Sequence, residues 1–153
     1  MSNSFGKQTR RLVPPLARLT DALSPFAYPL IRIAAGALLM PHGWHKLFDG
    51  RLQGTADFMA SIGLEPALAL ATYIALLELV GGAMLVLGLL TRLIAAQVIG
   101  FMAVATFMVL WDKGFFWIQG GFEYSLLLGI LAIAIAIKGG GRYSLDGVIG
   151  REV

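Results

Sequence analysis

PALALATYIALLELVGGAMLVLGLLTRLIAAQVIGFMAVATFMVLW, residues 66–111, carries two charged side chains, Glu78 and Arg92, in 46 positions. A water-facing helix needs a polar face, and this stretch has none to offer. A hydrocarbon core about 30 Å thick takes about 20 apolar residues per crossing, so there is length here for two helices. Only Leu90-Thr91-Arg92 separates them, and a turn that tight makes them antiparallel neighbours.

On either side the pattern repeats. An apolar run of about 27–48 contains Arg32, and a run of about 122–138 ends at Gly139-Gly140-Gly141. The four runs, about 27–48, 66–90, 92–111 and 122–138, predict an all-α, integral membrane, antiparallel four-helix bundle, one domain over residues 1–153. Residues 1–24 form a basic, proline-interrupted segment that binds anionic lipid headgroups. Residues 49–65 form an outer loop whose Phe58, Met59 and Ile62 are spaced for a short amphipathic helix.

Composition agrees. The chain is 58% hydrophobic and 14% charged, against about 45–50% and about 25% in soluble domains. The net charge of +3 and pI near 9.5 do not point to nucleic acid, because the basic residues sit at membrane flanks. With the N-terminus inside, Lys7, Arg10, Arg11, Arg18, Arg92, Lys138, Arg142 and Arg151 face the cytoplasm, while Lys46, Arg51 and Lys113 face out. Trp44, Trp111 and Trp117 then all fall at outer helix ends, where indole rings are stable. Both ends of the chain are expected in the cytoplasm of a bacterial or archaeal cell, with the bundle in its inner membrane. The first run is expected to be an uncleaved helix, since His42, Trp44, His45 and Lys46 follow it in place of a small-residue cleavage site. With no cysteine, thiolate-ligated metals and Cys-held iron–sulfur clusters are excluded; redox chemistry would need a bound cofactor or a partner protein.

An ionisable group in hydrocarbon costs several kcal/mol unless it is paired or wet. Arg32 and Glu78 therefore must turn inward. At 1.5 Å per residue they lie roughly 8 Å and roughly 16 Å from the cytoplasmic ends of their helices, a gap an arginine side chain spans. The expectation is an Arg32–Glu78 pair or a shared buried polar network, the competing role being only to fix helix register.

A second constellation lies at the outer face. His42, Gly43, Trp44, His45 and Lys46 end the first helix, and Gln119, Gly120, Gly121, Glu123 and Tyr124 open the fourth. His42, Lys46, the Trp117 indole and Gln119 supply donors, and Glu123 a carboxylate, beside an apolar interior. A quinone or lipid headgroup is suited by that set: hydrogen bonds for its oxygens, a proton carrier, and a cleft for its tail. The histidines and tryptophans also suit ordinary interfacial anchoring. Haem would need axial histidines on opposing helices, and here both lie on one segment. His42, His45 and Glu123 have no diagnostic metal spacing.

At these residues the chain resembles the DoxX family of small four-helix bacterial and archaeal membrane proteins. The matching pieces are Arg32 with Gly36; His42-Gly43 and Lys46; Glu78 with Gly81-Gly82; Gly88-Leu89-Leu90-Thr91-Arg92; Gly120-Gly121 with Glu123; and Gly139 to Asp146. The resemblance implies an inner-membrane protein associated with quinone-linked redox chemistry. It marks Arg32, His42, Lys46, Glu78, Arg92 and Glu123 as site candidates, with Arg92 joining Arg32 and Glu78 in the buried network. Asp146 is expected to cap its segment or to pair with Arg142 or Arg92.

Three functions follow. In the first, a quinone-associated subunit, Glu78 or Glu123 relays protons while His42 and Lys46 orient the headgroup. In the second, a non-enzymatic scaffold or assembly factor, the polar groups only hold the bundle for a partner protein. The third is transport of a small solute or proton, which four helices support only as a homo-oligomer.

Overall fold

The structure, a computed structural model, describes residues 14–150; Lys7, Arg10, Arg11 and Arg151 lie outside them. Every regular element among the described residues is helical. Helix α1 spans Pro14–Phe48, α2 Leu52–Ser61, α3 Ala67–Leu87, α4 Thr91–Lys113, α5 Glu123–Lys138 and α6 Leu145–Ile149. Helices α1, α3 and α4 are long and apolar enough to cross a membrane. Helix α5 is equally apolar but only 16 residues long.

Helix α1 begins at Pro14, well before the expected start near residue 27, and runs through Pro25, Pro29 and Pro41. Its 35 residues measure about 50 Å, more than the hydrocarbon is thick. A proline in the first turn removes only an N–H that has no partner anyway. The later prolines each forfeit one bond, but unwinding inside lipid would strand several peptide groups. The helix therefore continues. Leu16, Leu19, Leu23 and Phe26 form an exposed stripe along the early turns.

Helices α1, α3, α4 and α5 share one core: Ala35 and Leu39, Leu77 and Leu85, Ile94, Ala95, Val98 and Met102, then Leu128, Ala132 and Ile135. Small residues set its closest approach. A Cβ placed on Gly36 would meet the Gly82 carbonyl oxygen at 2.4 Å, and one on Gly82 would meet the Gly36 oxygen at 2.7 Å. A Cβ on Gly43 would meet the Leu79 nitrogen at 2.5 Å and the Ala75 oxygen at 2.6 Å. Contact is therefore backbone on backbone, the packing that small residues permit in membranes. Gly36→Leu is expected to force α1 off α3, costing about 1–3 kcal/mol and lowering the melting temperature in detergent. An unchanged melt would show that the two helices are not in register through Gly36 and Gly82.

Two turns are wound as π-helix, Leu77–Gly81 within α3 and Ala105–Leu110 within α4. Such turns displace side chains from α-helical register and gather at functional sites. One presents Glu78. Meanwhile Ala56 and Met59 of α2 pack on Ala67 and Ala71, so the predicted amphipathic helix lies against the first turns of α3.

Candidate functional site

Glu78 and Arg32 both turn inward, at 4% and 1% exposure, but not toward each other. The expected pair does not form. Lys46 Nζ donates to Glu78 Oε2 at 2.5 Å instead. The reason is the Gly43 contact, which brings the end of α1 alongside Ala75–Leu79. Residue 46, one turn further along, then needs only its own length to reach position 78. The π turn completes the geometry by aiming Glu78 between helices. The acid is buried and the lysine only partly so.

Lys46 also stands in the wall of a cavity of about 560 Å³, whose lining includes Phe58, Met59, Leu70, Ile74, Phe101 and Val104. That volume lies within the roughly 300–1,000 Å³ typical of small-molecule sites. Its walls come from α2, α3 and α4, with Ala105 and Val109 contributed by the second π turn. Lys46 and Thr55 face a second, smaller space as well, lined by His42, His45 and Arg51. An ammonium thus stands between a greasy chamber and a polar vestibule, held by a carboxylate. This arrangement can hydrogen-bond the polar end of a lipophilic molecule, exclude water from its body, and pass a proton outward.

Arg32 belongs to the opposite end. Its Nη1 donates to the Gly140 carbonyl at 2.7 Å, and its Nη2 to Tyr143 at 2.7 Å and to Val86 at 3.4 Å. Its Nε has no partner among the described residues. Tyr28 Oη donates to the Gly139 carbonyl. Asp146 accepts from the Leu90 N–H at 2.8 Å, the Thr91 N–H at 2.9 Å and the Thr91 hydroxyl at 2.7 Å. It therefore caps the start of α4, where exposed N–H groups favour a carboxylate. Its own helix is capped by Ser144, whose Oγ accepts from the Gly147 N–H. Burial pushes the Asp146 carboxyl up, but the Thr91 and Leu90 donors and the Arg32 charge outweigh it and hold the group below its ordinary range. The turn it braces is strained: Leu90 sits at φ +47°, and Gly88 at φ +70°, where a Cβ would lie 1.8 Å from Arg32 Nη1.

The other predicted residues are dispersed. Arg92, expected beside Arg32 and Glu78, is exposed in the first turn of α4. His42 is exposed on α1 with its ring 6.3 Å from Tyr124, and His45 bonds Asp49. Glu123 accepts from the Trp117 N–H at 3.2 Å, so it fastens its own loop. Trp117 and Gln119 are exposed. None of these three lines the cavity. No three His, Asp or Glu side chains converge as a metal site among the described residues.

Two cavity residues were not singled out in the sequence. Tyr73 Oη donates to Gln97 Oε1 at 2.8 Å, across from α3 to α4, and both line the chamber that Lys46 enters. A glutamine inside the third apolar run was the available signal. Thr106 donating to Ser125 at 2.8 Å, buried between α4 and α5, was likewise unmarked.

The sequence profile of the DoxX family matches residues 28–111, a span that holds Arg32, Lys46, Glu78, Tyr73 and Gln97. The chain is 32% identical over 117 residues to "Putative oxidoreductase CatD" of Bacillus subtilis, covering 76% of this chain and 82% of that one. It is 29% identical over 150 residues to an uncharacterized membrane protein of Mycobacterium tuberculosis, covering 90% of each. No solved structure matches significantly. With its profile extending over more than half the sequence and its apolar helices suited to lipid, the chain is a membrane protein that belongs to the DoxX family.

Proposed function

We propose that this protein is a quinone- or quinol-associated redox subunit or accessory protein. In this reading α1, α3, α4 and α5 cross the cytoplasmic membrane as an antiparallel bundle with both ends of the chain inside. The observation that carries it is the apolar cavity with Lys46, held by the buried Glu78, in its wall. A bound quinone would supply the electron-carrying ring. Lys46 keeps ammonium hydrogens beyond the one given to Glu78 and directs one to a ring oxygen. Glu78 holds or returns a proton beside it, and Phe58, Ile74 and Phe101 exclude water from the ring and tail. The name of the Bacillus relative as an oxidoreductase supports the same class.

The test is a titration of the purified protein in lipid nanodiscs with a short-tailed benzoquinone. The double variant Lys46→Met/Glu78→Gln, which strands neither charge, is expected to bind at least about tenfold more weakly, the worth of one charge-assisted hydrogen bond. Glu123→Gln, off the cavity, is expected to leave affinity unchanged. Equal affinity in the wild type and the double variant, or no binding by the wild type, ends this reading. The scaffold reading draws on a different feature, the outer loop where Trp117 and Ile118 are 66% and 79% exposed.

A further inference from the structure

We infer that Gln97, aligned by Tyr73, is a second headgroup contact in the same cavity, so that the ligand is recognised at two polar points rather than one. The inference rests on the quinone reading and narrows it to a molecule carrying hydrogen-bond acceptors on opposite sides of a flat apolar body.

The cavity has few polar side chains, and they fall in two places. Lys46 and Thr55 stand toward the vestibule that they share with His42 and Arg51. Tyr73 and Gln97 stand on α3 and α4, with an aliphatic and aromatic lining between. A glutamine side chain in the middle of an apolar helix has a cost to answer for. Tyr73 answers part of it. The phenol occupies Oε1, and Nε2 donates back to the Leu93 carbonyl at 3.3 Å on its own helix.

A carboxamide nitrogen carries two hydrogens, and these bonds use one of them. The other remains for a guest. With its oxygen accepting from the phenol, the amide presents the remaining Nε2 hydrogen as a donor to the chamber. Lys46 is also a donor. The chamber therefore offers donors from two sides and suits acceptors on both faces of its guest. A ligand with one polar head and a plain tail would leave Gln97 Nε2 facing hydrocarbon.

Tyr73 is a positioning residue in this arrangement, acting through Gln97. The competing role, a brace between α3 and α4, makes a different prediction. A brace fails equally when either partner is removed. A headgroup contact fails when the amide is lost and survives when only the phenol hydroxyl goes.

Two probes in nanodiscs separate these outcomes: a decyl-substituted 1,4-benzoquinone, and a decylphenyl methyl ketone with a single acceptor. Gln97→Leu is expected to weaken benzoquinone binding about fivefold to twentyfold, the worth of one hydrogen bond, and to leave the ketone within twofold. Tyr73→Phe, which loosens the amide but leaves it in the chamber, is expected to weaken benzoquinone binding by about threefold, less than Gln97→Leu. Melting temperatures of both variants report the brace separately from binding. The inference is overturned if Gln97→Leu leaves benzoquinone affinity intact, weakens both probes equally, or is matched by Tyr73→Phe. If the wild type binds neither probe, the quinone reading itself falls. If the wild type binds benzoquinone and Lys46 matters but Gln97 does not, only the two-point inference falls.

Discussion

Arg32→Met is expected to lower stability by about 2–5 kcal/mol, the cost of leaving buried backbone carbonyls without their donors. Methionine has the right size and suits lipid, so the loss isolates the hydrogen bonds. The Gly140 and Tyr143 carbonyls each lose a 2.7 Å donor, and a buried acceptor left unmet costs about 1–3 kcal/mol. Lysine does not rescue the site, because three carbonyls on two chain segments need the planar fork of a guanidinium. Differential scanning fluorimetry in detergent reads the stability. Trypsin reads the location: Arg142 is exposed, and cleavage there should accelerate once Tyr143 is released. A variant with wild-type melting and wild-type cleavage would show that the guanidinium does not hold the C-terminal segment. Asp146 contributes at the same end with a defined acid dependence. Its carboxyl is held below the ordinary range, so its contribution is complete above that range, near about pH 4, and is lost as pH falls through the lowered value. Across neutral pH the clamp is constant.

Lys46 and Glu78 are expected to be strongly non-additive. Lys46→Met leaves Glu78, 5% exposed, without its cation and costs about 3–5 kcal/mol. Glu78→Gln costs less. Lys46 is 19% exposed, and its flexible stem can swing the ammonium into the vestibule beside Thr55. The double variant removes both charges and recovers most of the loss, giving a coupling energy of about 2–3 kcal/mol, in the range for contacting residues. Thermal melts of the four proteins in one detergent complete the cycle. Additive losses would mean the two charges stabilise the bundle independently, and the 2.5 Å contact would carry no energy of its own.

Much of the architecture was legible because lipid simplifies the reading. Glu78 and Arg32 had to turn inward on desolvation cost alone, and they do. Which partner each finds was not legible. Depth arithmetic treats helices as rods of known origin, yet α1 starts at Pro14 and its far end packs at the level of Ala75–Leu79 through Gly43. That places Lys46, not Arg32, within reach of the acid. The true partners of Arg32 are backbone carbonyls, which have no signature in side-chain identity. Asp146 was expected to cap its own segment or to pair with Arg142 or Arg92, but the strained Leu90 turn offers it a set of backbone donors. Gln97, by contrast, was within reach of the same cost argument that found Glu78. A neutral amide in an apolar run signals more faintly than a charge, and it was passed over.

The two carbonyls closest to the Arg32 guanidinium lie 108 and 111 positions further along the chain. During synthesis, then, the first helix enters the bilayer long before those oxygens exist, and its guanidinium must be hydrated or borrowed by headgroups in the interval. The bundle can close at that end only after residue 143 has left the ribosome. The Arg32 site is in that sense assembled backwards, from late-made chain onto the first helix.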